Sequence, residues 1–139
     1  VKNLYQPSKL LSKSEFAKIT KALEKSWGEE TATFADVKKK WSKDNPPRGQ
    51  CLVTAVIIND LFGGKLVYDR IHHHLWNELP DGTWQDFTRK QFKTKTALVI
   101  TKYKTKNEVL SDEHAIKNKT ANRYKLLKQK FEEIYGKIN

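Results

Sequence analysis

The sequence predicts an α+β domain. Helices come first, then a central buried helix opened by the cysteine. An antiparallel sheet of about three to five strands packs on that helix, and another helix closes the chain. Three observations carry this expectation. An apolar run, Leu52 to Phe62, lies between Pro46-Pro47-Arg48-Gly49-Gln50 and Gly63-Gly64. Short β-rich segments separated by turn residues follow it. Apolar residues recur at helical spacing near both ends.

Taken in order, Ser12-Lys13-Ser14-Glu15 reads as a capping box, with Phe16, Ile19, Leu23 and Trp27 on one face of a helix ending near Gly28. A short helix is expected from Thr33, with Phe34, Val37 and Trp41 on one side. Asn45-Pro46-Pro47 stops it, because proline lacks the N–H and forces the preceding residue extended. Gln50 to Leu61 is apolar on nearly every side, as a helix central to its fold must be. Lys65 to Ile71 reads as a strand. His73 to Leu79 and Thr83 to Phe87 read as a hairpin turning on Pro80-Asp81-Gly82. Thr96 to Tyr103 reads as another strand. Lys119 to Tyr135 reads as a helix burying Tyr124, Leu127, Phe131 and Ile134.

Bulk properties bound the function. The 139 residues form one expected domain, 1–139, large enough for a real core. No apolar run reaches about 18 residues, so no membrane partner is expected. Val1 to Leu11 lacks the apolar region of a secretory signal, and a single cysteine makes no internal disulfide, so a reduced, cytoplasmic home is expected. The net charge is +11, from 27 Lys+Arg against 16 Asp+Glu. Such an excess attracts acidic protein or nucleic acid. It is concentrated in Arg89, Lys90, Lys93, Lys95, Lys102, Lys104 and Lys106, a stretch without an acid. No nucleic-acid-binding motif accompanies it, which favours a solvated surface.

The residues that can carry chemistry converge on one thiol. Cys51 stands at the mouth of the central helix, where the helix dipole favours thiolate. The bland alternative is a small buried hydrophobe. His74 is the candidate base, sharing a strand face with Trp76 and Glu78, and His72 is the backup on the same parity. The run His72-His73-His74 alternates across a strand and cannot aim three rings at one ion, so no metal and no cofactor is expected. With Leu79 facing Thr83, opposed positions sum to 162. Trp76 then opposes Asp86, and His74 lies diagonal to it, within reach of a side-chain contact. Asp86 is therefore the candidate orienter of His74. Asp81 is a turn residue and is set aside. Gln50 is the candidate oxyanion donor beside the Cys51 N–H. Trp76 and Trp84 are candidate walls of the site. Asn77, on the other strand face, is a weaker polar candidate.

These residues also carry a resemblance. Trp41 to Ala55, with the core Asn45-Pro46-Pro47-Arg48-Gly49-Gln50-Cys51, resembles the signature of the YunG-like family of small, largely uncharacterised bacterial proteins. Gly63-Gly64, His74-Leu75-Trp76-Asn77, Asp81-Gly82, Asp86 to Phe92 and Arg123 to Leu127 resemble its further blocks. A wider similarity is to the transglutaminase-like and papain-like fold. There a cysteine opens a helix, and a His-x-Trp strand leads through an Asp-Gly turn to a Trp-containing strand with the acid. His74, Trp76, Glu78, Trp84 and Asp86 match that pattern, although Asp86 follows Trp84 more closely than is usual there. The resemblance implies fold more strongly than reaction. The expected function is a cysteine-dependent hydrolase or acyltransferase acting on an amide or related acyl bond, a protein among the expected substrates, through Cys51, His74 and Asp86. The rival is a non-enzymatic module of the same fold that binds an acidic protein or nucleic acid through its basic surface.

Overall fold

The computed structural model describes residues 10–33, 41–92, 99 and 102–138. The architecture is α+β. Helix α1, Lys13–Ser26, is capped by Ser12, whose hydroxyl accepts from the Glu15 N–H at 3.1 Å. Ile19, Ala22 and Leu23 form its buried stripe. A 3-10 turn, Glu29–Thr31, follows. The central helix α2, Cys51–Phe62, buries every residue from Cys51 to Ile58. Strands β1 (Lys65–Asp69), β2 (His74–Glu78), β3 (Trp84–Gln85) and β4 (Lys102–Lys104) form an antiparallel sheet in the order β3-β2-β1-β4. Helices α3 (Lys106–Ser111), α4 (Glu113–Lys117) and α5 (Thr120–Tyr135) complete the described chain.

The core lies between the helices and one sheet face. There α2 packs on β2 and α5, while α1 packs on α5. Leu66 and Leu75 from the sheet join Val53, Val56 and Ile57 of α2 and Leu127 and Phe131 of α5. The opposite sheet face carries a smaller apolar group, Val67, Trp76 and Trp84. That face also presents His74, two residues before Trp76 on β2.

The hairpin register follows the expected sum. Asn77 pairs with Gln85 and Glu78 with Trp84, and the Leu79 N–H donates to the Thr83 carbonyl at 2.8 Å. The strand ends differ. The strand expected from Lys65 to Ile71 stops at Asp69, and residues 70–73 form a turn. That turn includes His73, whose φ of 50° is left-handed and breaks the strand alternation. Two short helices, α3 and α4, went unforeseen although their start signals are present. Thr105 and Glu108 make a reciprocal capping box, and Asp112 accepts from the Ala115 N–H at 2.8 Å. In α5 the burial of Tyr124, Leu127 and Phe131 matches the expected stripe, but Ile134 is 46% exposed. Arg123 is buried in its place. Its guanidinium donates to the carbonyls of Asn118 and Thr31 and to the Thr120 hydroxyl. The helix expected through Phe34 and Val37, and most of the strand expected from Thr96, lie outside the described residues.

Gly64 is where α2 hands over to β1. At its φ of +84° an added Cβ would lie 2.1 Å from the Glu78 carbonyl oxygen, which is backbone and cannot step aside. Gly64→Ala is expected to destabilise the fold by at least about 2 kcal/mol. Urea unfolding checks this, and a midpoint equal to the unaltered chain's would contradict it.

Among the described residues no helix is long and apolar enough to cross a membrane.

Candidate functional site

The loop before Cys51 is built from consecutive turns. The Arg48 N–H donates to the Asn45 carbonyl and the Gln50 N–H to that of Pro47, each at 3.1 Å. This winding delivers Cys51 to the first position of α2, with Gln50 as the residue before it. Gln50 makes no side-chain capping bond. The amide hydrogens of the first turn, which no helix can satisfy internally, are left without that common acceptor. Cys51 is 6% exposed, and its sulfur lies 3.8 Å from the His73 carbonyl oxygen.

His74 opens β2, and Asp86 lies just past the end of β3. The structure brings their side chains together. His74 Nε2 and Asp86 Oδ2 are 2.6 Å apart, and both side chains are 1% exposed. A turn typical of aspartate followed two residues later by threonine holds the carboxylate. The Thr88 N–H and hydroxyl donate to Asp86 Oδ1 at 3.1 and 3.2 Å. Burial alone would hold the His74 imidazole neutral. The hydrogen bond and charge of Asp86, with a further hydrogen bond and charge from Cys51, override it and raise the pKa to about 10. Cys51 is thus the second group acting on this ring.

Aromatic side chains enclose the imidazole. Trp76 stacks on it with centroids 5.8 Å apart, and Phe92 meets it edge-on at 4.9 Å. Trp84 meets Trp76 edge-on at 5.4 Å, and its Nε1–H donates to Glu78 at 2.9 Å. Gln50 is 0% exposed and its Nε2 donates to the Gly28 carbonyl at 2.9 Å, which braces the loop against the end of α1. Asn77 faces α2 and donates to the Ala55 carbonyl at 2.8 Å, which pins β2 to the helix. Both amides therefore hold the scaffold around the thiol.

The other histidines go elsewhere. His72 sits in the turn, not on the strand, because left-handed His73 breaks the parity. Its Nδ1 lies 2.7 Å from Asp69 Oδ2. The His73 ring nitrogen lies 3.4 Å from the Tyr68 hydroxyl. Burial, and after it the charge of Cys51, push the Tyr68 phenol up. Among the described residues no group of three histidine, cysteine or acidic side chains is placed to hold a metal ion.

Sequence reasoning missed two contributors. Asp69 is fully buried and accepts from the N–H groups of Ile71, His72 and Val99 at 2.8, 3.1 and 2.9 Å. Burial would raise its pKa, but the hydrogen bonds from Val99 and His72 outweigh that and lower it. The signal was an acid ending a strand just before a turn. The second is Gln91, whose Nε2 is 3.2 Å from His74 Nδ1 and 3.4 Å from the Thr88 hydroxyl. It sits on a 3-10 turn, Arg89–Gln91, that nothing in the hydrophobic pattern marks.

A cleft of about 210 Å³ adjoins the site. Phe16, Trp27, Pro46, Pro47, Asp86 and Phe87 help line it, whereas Cys51 and His74 do not. The basic stretch is partly compensated. Lys102, Lys104 and Lys106 lie 3.5, 3.6 and 2.7 Å from Glu108, Asp112 and Asp60. These acids come from elsewhere in the chain, which is why the stretch reads as uniformly positive in sequence.

Comparison with known proteins places the chain. A curated relative, "Uncharacterized protein YunG" of Bacillus subtilis (strain 168), is 36% identical over 72 residues. The match takes in 50% of this chain and 56% of that protein, so the chain spans little more than half the relative's length. No solved structure matches the chain significantly. The family model described as YunG protein matches residues 15–136, which contain the loop, Cys51, His74, Asp86 and α5 alike. The chain belongs to the YunG family.

Proposed function

We propose that this chain is a cysteine-dependent enzyme that cleaves or transfers an amide or related acyl group. The observation that carries the reading is the buried 2.6 Å contact between His74 and Asp86 beside a thiol that also acts on the same imidazole. A cysteine at a helix start, a base within its reach and a third group orienting that base are the parts of an activated nucleophile. The order of these parts along the chain is similar to that of transglutaminase-like and papain-like enzymes, and this likeness supports the reading.

The proposed steps are these. His74 takes the Cys51 thiol proton at Nδ1, the nitrogen left when Asp86 holds Nε2. The sulfur bonds to the acyl carbon, and the carbonyl π pair moves onto oxygen. Collapse expels the leaving group, which takes the proton from His74 and leaves Cys51 acylated. Water or an amine then attacks the thioester, gives its proton to His74, and releases product and thiol. Asp86 balances the imidazolium.

Thiol alkylation tests the core of this proposal. Iodoacetamide is expected to label the folded chain at Cys51 in mildly acidic buffer, where an ordinary thiol is almost entirely protonated. His74→Ala is expected to slow labelling at pH 6 by at least about tenfold. Mass spectrometry of the folded chain reads both. Labelling that appears only after unfolding would overturn the reading.

A further inference from the structure

We infer that the Gln91 side-chain amide is the oxyanion donor that completes the Cys51 site, acting beside the amide hydrogens at the start of α2. The inference deepens the thiol reading above and rests on it.

Two of the side-chain amides around the site are committed to backbone carbonyls. Gln50 is fully buried and donates to Gly28, while Asn77 is buried and donates to Ala55. Gln91 is half-buried, and its amide nitrogen is 3.2 Å from His74 Nδ1. Asp86 occupies the other ring nitrogen, so Nδ1 is the atom left to exchange a proton with Cys51. The Gln91 amide therefore stands beside the proton-transfer path. Its backbone is fixed independently of its side chain. The Asn45 side chain donates to the Gln91 carbonyl at 3.1 Å, and the Gln91 N–H donates to the Thr88 carbonyl at 3.0 Å.

Proton counting gives this amide its timing. A neutral His74 with its hydrogen on Nε2 accepts from Gln91 at Nδ1. Once the thiol proton has moved to Nδ1, that nitrogen is itself a donor, and two donors cannot bond each other. The Gln91 N–H is then free of Nδ1 before the sulfur attacks, and stands available when charge develops on the substrate oxygen. At the start of α2, Gln50 makes no capping bond, and helix N-termini favour a negative charge. An oxyanion between those backbone amides and Gln91 would meet donors from two sides, the arrangement that stabilises a tetrahedral intermediate.

Two probes separate this role from simple positioning. Iodoacetamide alkylates sulfur by displacing iodide and forms no oxyanion. With 4-nitrophenyl acetate, sulfur bonds to the carbonyl carbon and the π pair moves to oxygen. Collapse then expels 4-nitrophenolate and leaves S-acetyl Cys51. Gln91→Ala is expected to lower the acylation burst by about 10²-fold or more while changing alkylation by less than about threefold. Gln91→Glu is a second variant that cannot donate from the same position. It is expected to lose acylation in the same way while its carboxylate keeps His74 protonated and alkylation fast. Equal loss of both reactions would make Gln91 a positioning residue and overturn the inference, as would unchanged acylation. An unaltered chain inert to both probes would instead overturn the thiol reading, and this inference with it.

Discussion

Asp86→Asn is expected to lower acylation by 4-nitrophenyl acetate by on the order of 10³–10⁴ while leaving the fold in place. The substitution keeps the shape of the side chain and its Oδ1 acceptor toward Thr88, but removes the charge facing Nε2. His74 then loses the strongest influence that keeps it protonated, and the tautomer with hydrogen on Nε2 loses its selector. The same variant has a stability signature. The folded His74 pKa of about 10 lies above the ordinary 6.5, so the pair's contribution is complete below about pH 6.5. It declines as pH rises through that window and is gone above about 10. Breaking a buried pair by removing one charge costs about 3–5 kcal/mol. Urea unfolding at pH 6, 8 and 10 should therefore show a gap between the two chains that closes as pH rises. A gap that stays constant with pH, or a variant that acylates at the original rate, would contradict the role given to Asp86.

Asp69→Ala should be the most damaging substitution outside the three proposed catalytic groups. It strips one fully buried carboxylate from three backbone N–H groups and one imidazole, and leaves those part-buried donors without their acceptor. A loss of about 3–5 kcal/mol is expected, or about 10–17 °C in Tm. The turn it holds contains His73, whose carbonyl faces the Cys51 sulfur, and precedes His74. Thiol labelling should fall along with stability. The sign of the pH dependence is opposite to that of His74. A lowered carboxyl pKa contributes stability above the ordinary value of 3.8 and loses it as pH falls through the folded value. Asp69→Asn should be milder, because it keeps the acceptor for the Ile71 and His72 N–H groups. The difference between Asp69→Asn and the unaltered chain should shrink on acidification. Calorimetry across pH 2–7 checks this, and a difference that grows toward low pH would sink it.

The sequence by itself determined the fold class, the helix opened at Cys51, the first capping box and the hairpin register. Each of these depends on local rules: apolar periodicity, capping chemistry and the two-residue alternation of strands. The register is the clearest case. A three-residue turn and strict alternation set the pairing that lies behind the contact of His74 with Asp86, twelve residues apart. Only the tertiary structure decided what no local rule governs. His73 adopts a left-handed φ because the turn around Asp69 requires it, and that single dihedral removes His72 from the face it shares by parity. Gln50 and Gln91 are equally polar in sequence, yet one is sealed against Gly28 and the other stands beside His74. The lysines of residues 102–106 read as an uncompensated patch because their acids, Asp60, Glu108 and Asp112, come from other elements. The physical reason is common to all three. Secondary structure answers to neighbours a few residues away, whereas the partner of a buried polar group is whichever donor or acceptor packing brings within about 3 Å.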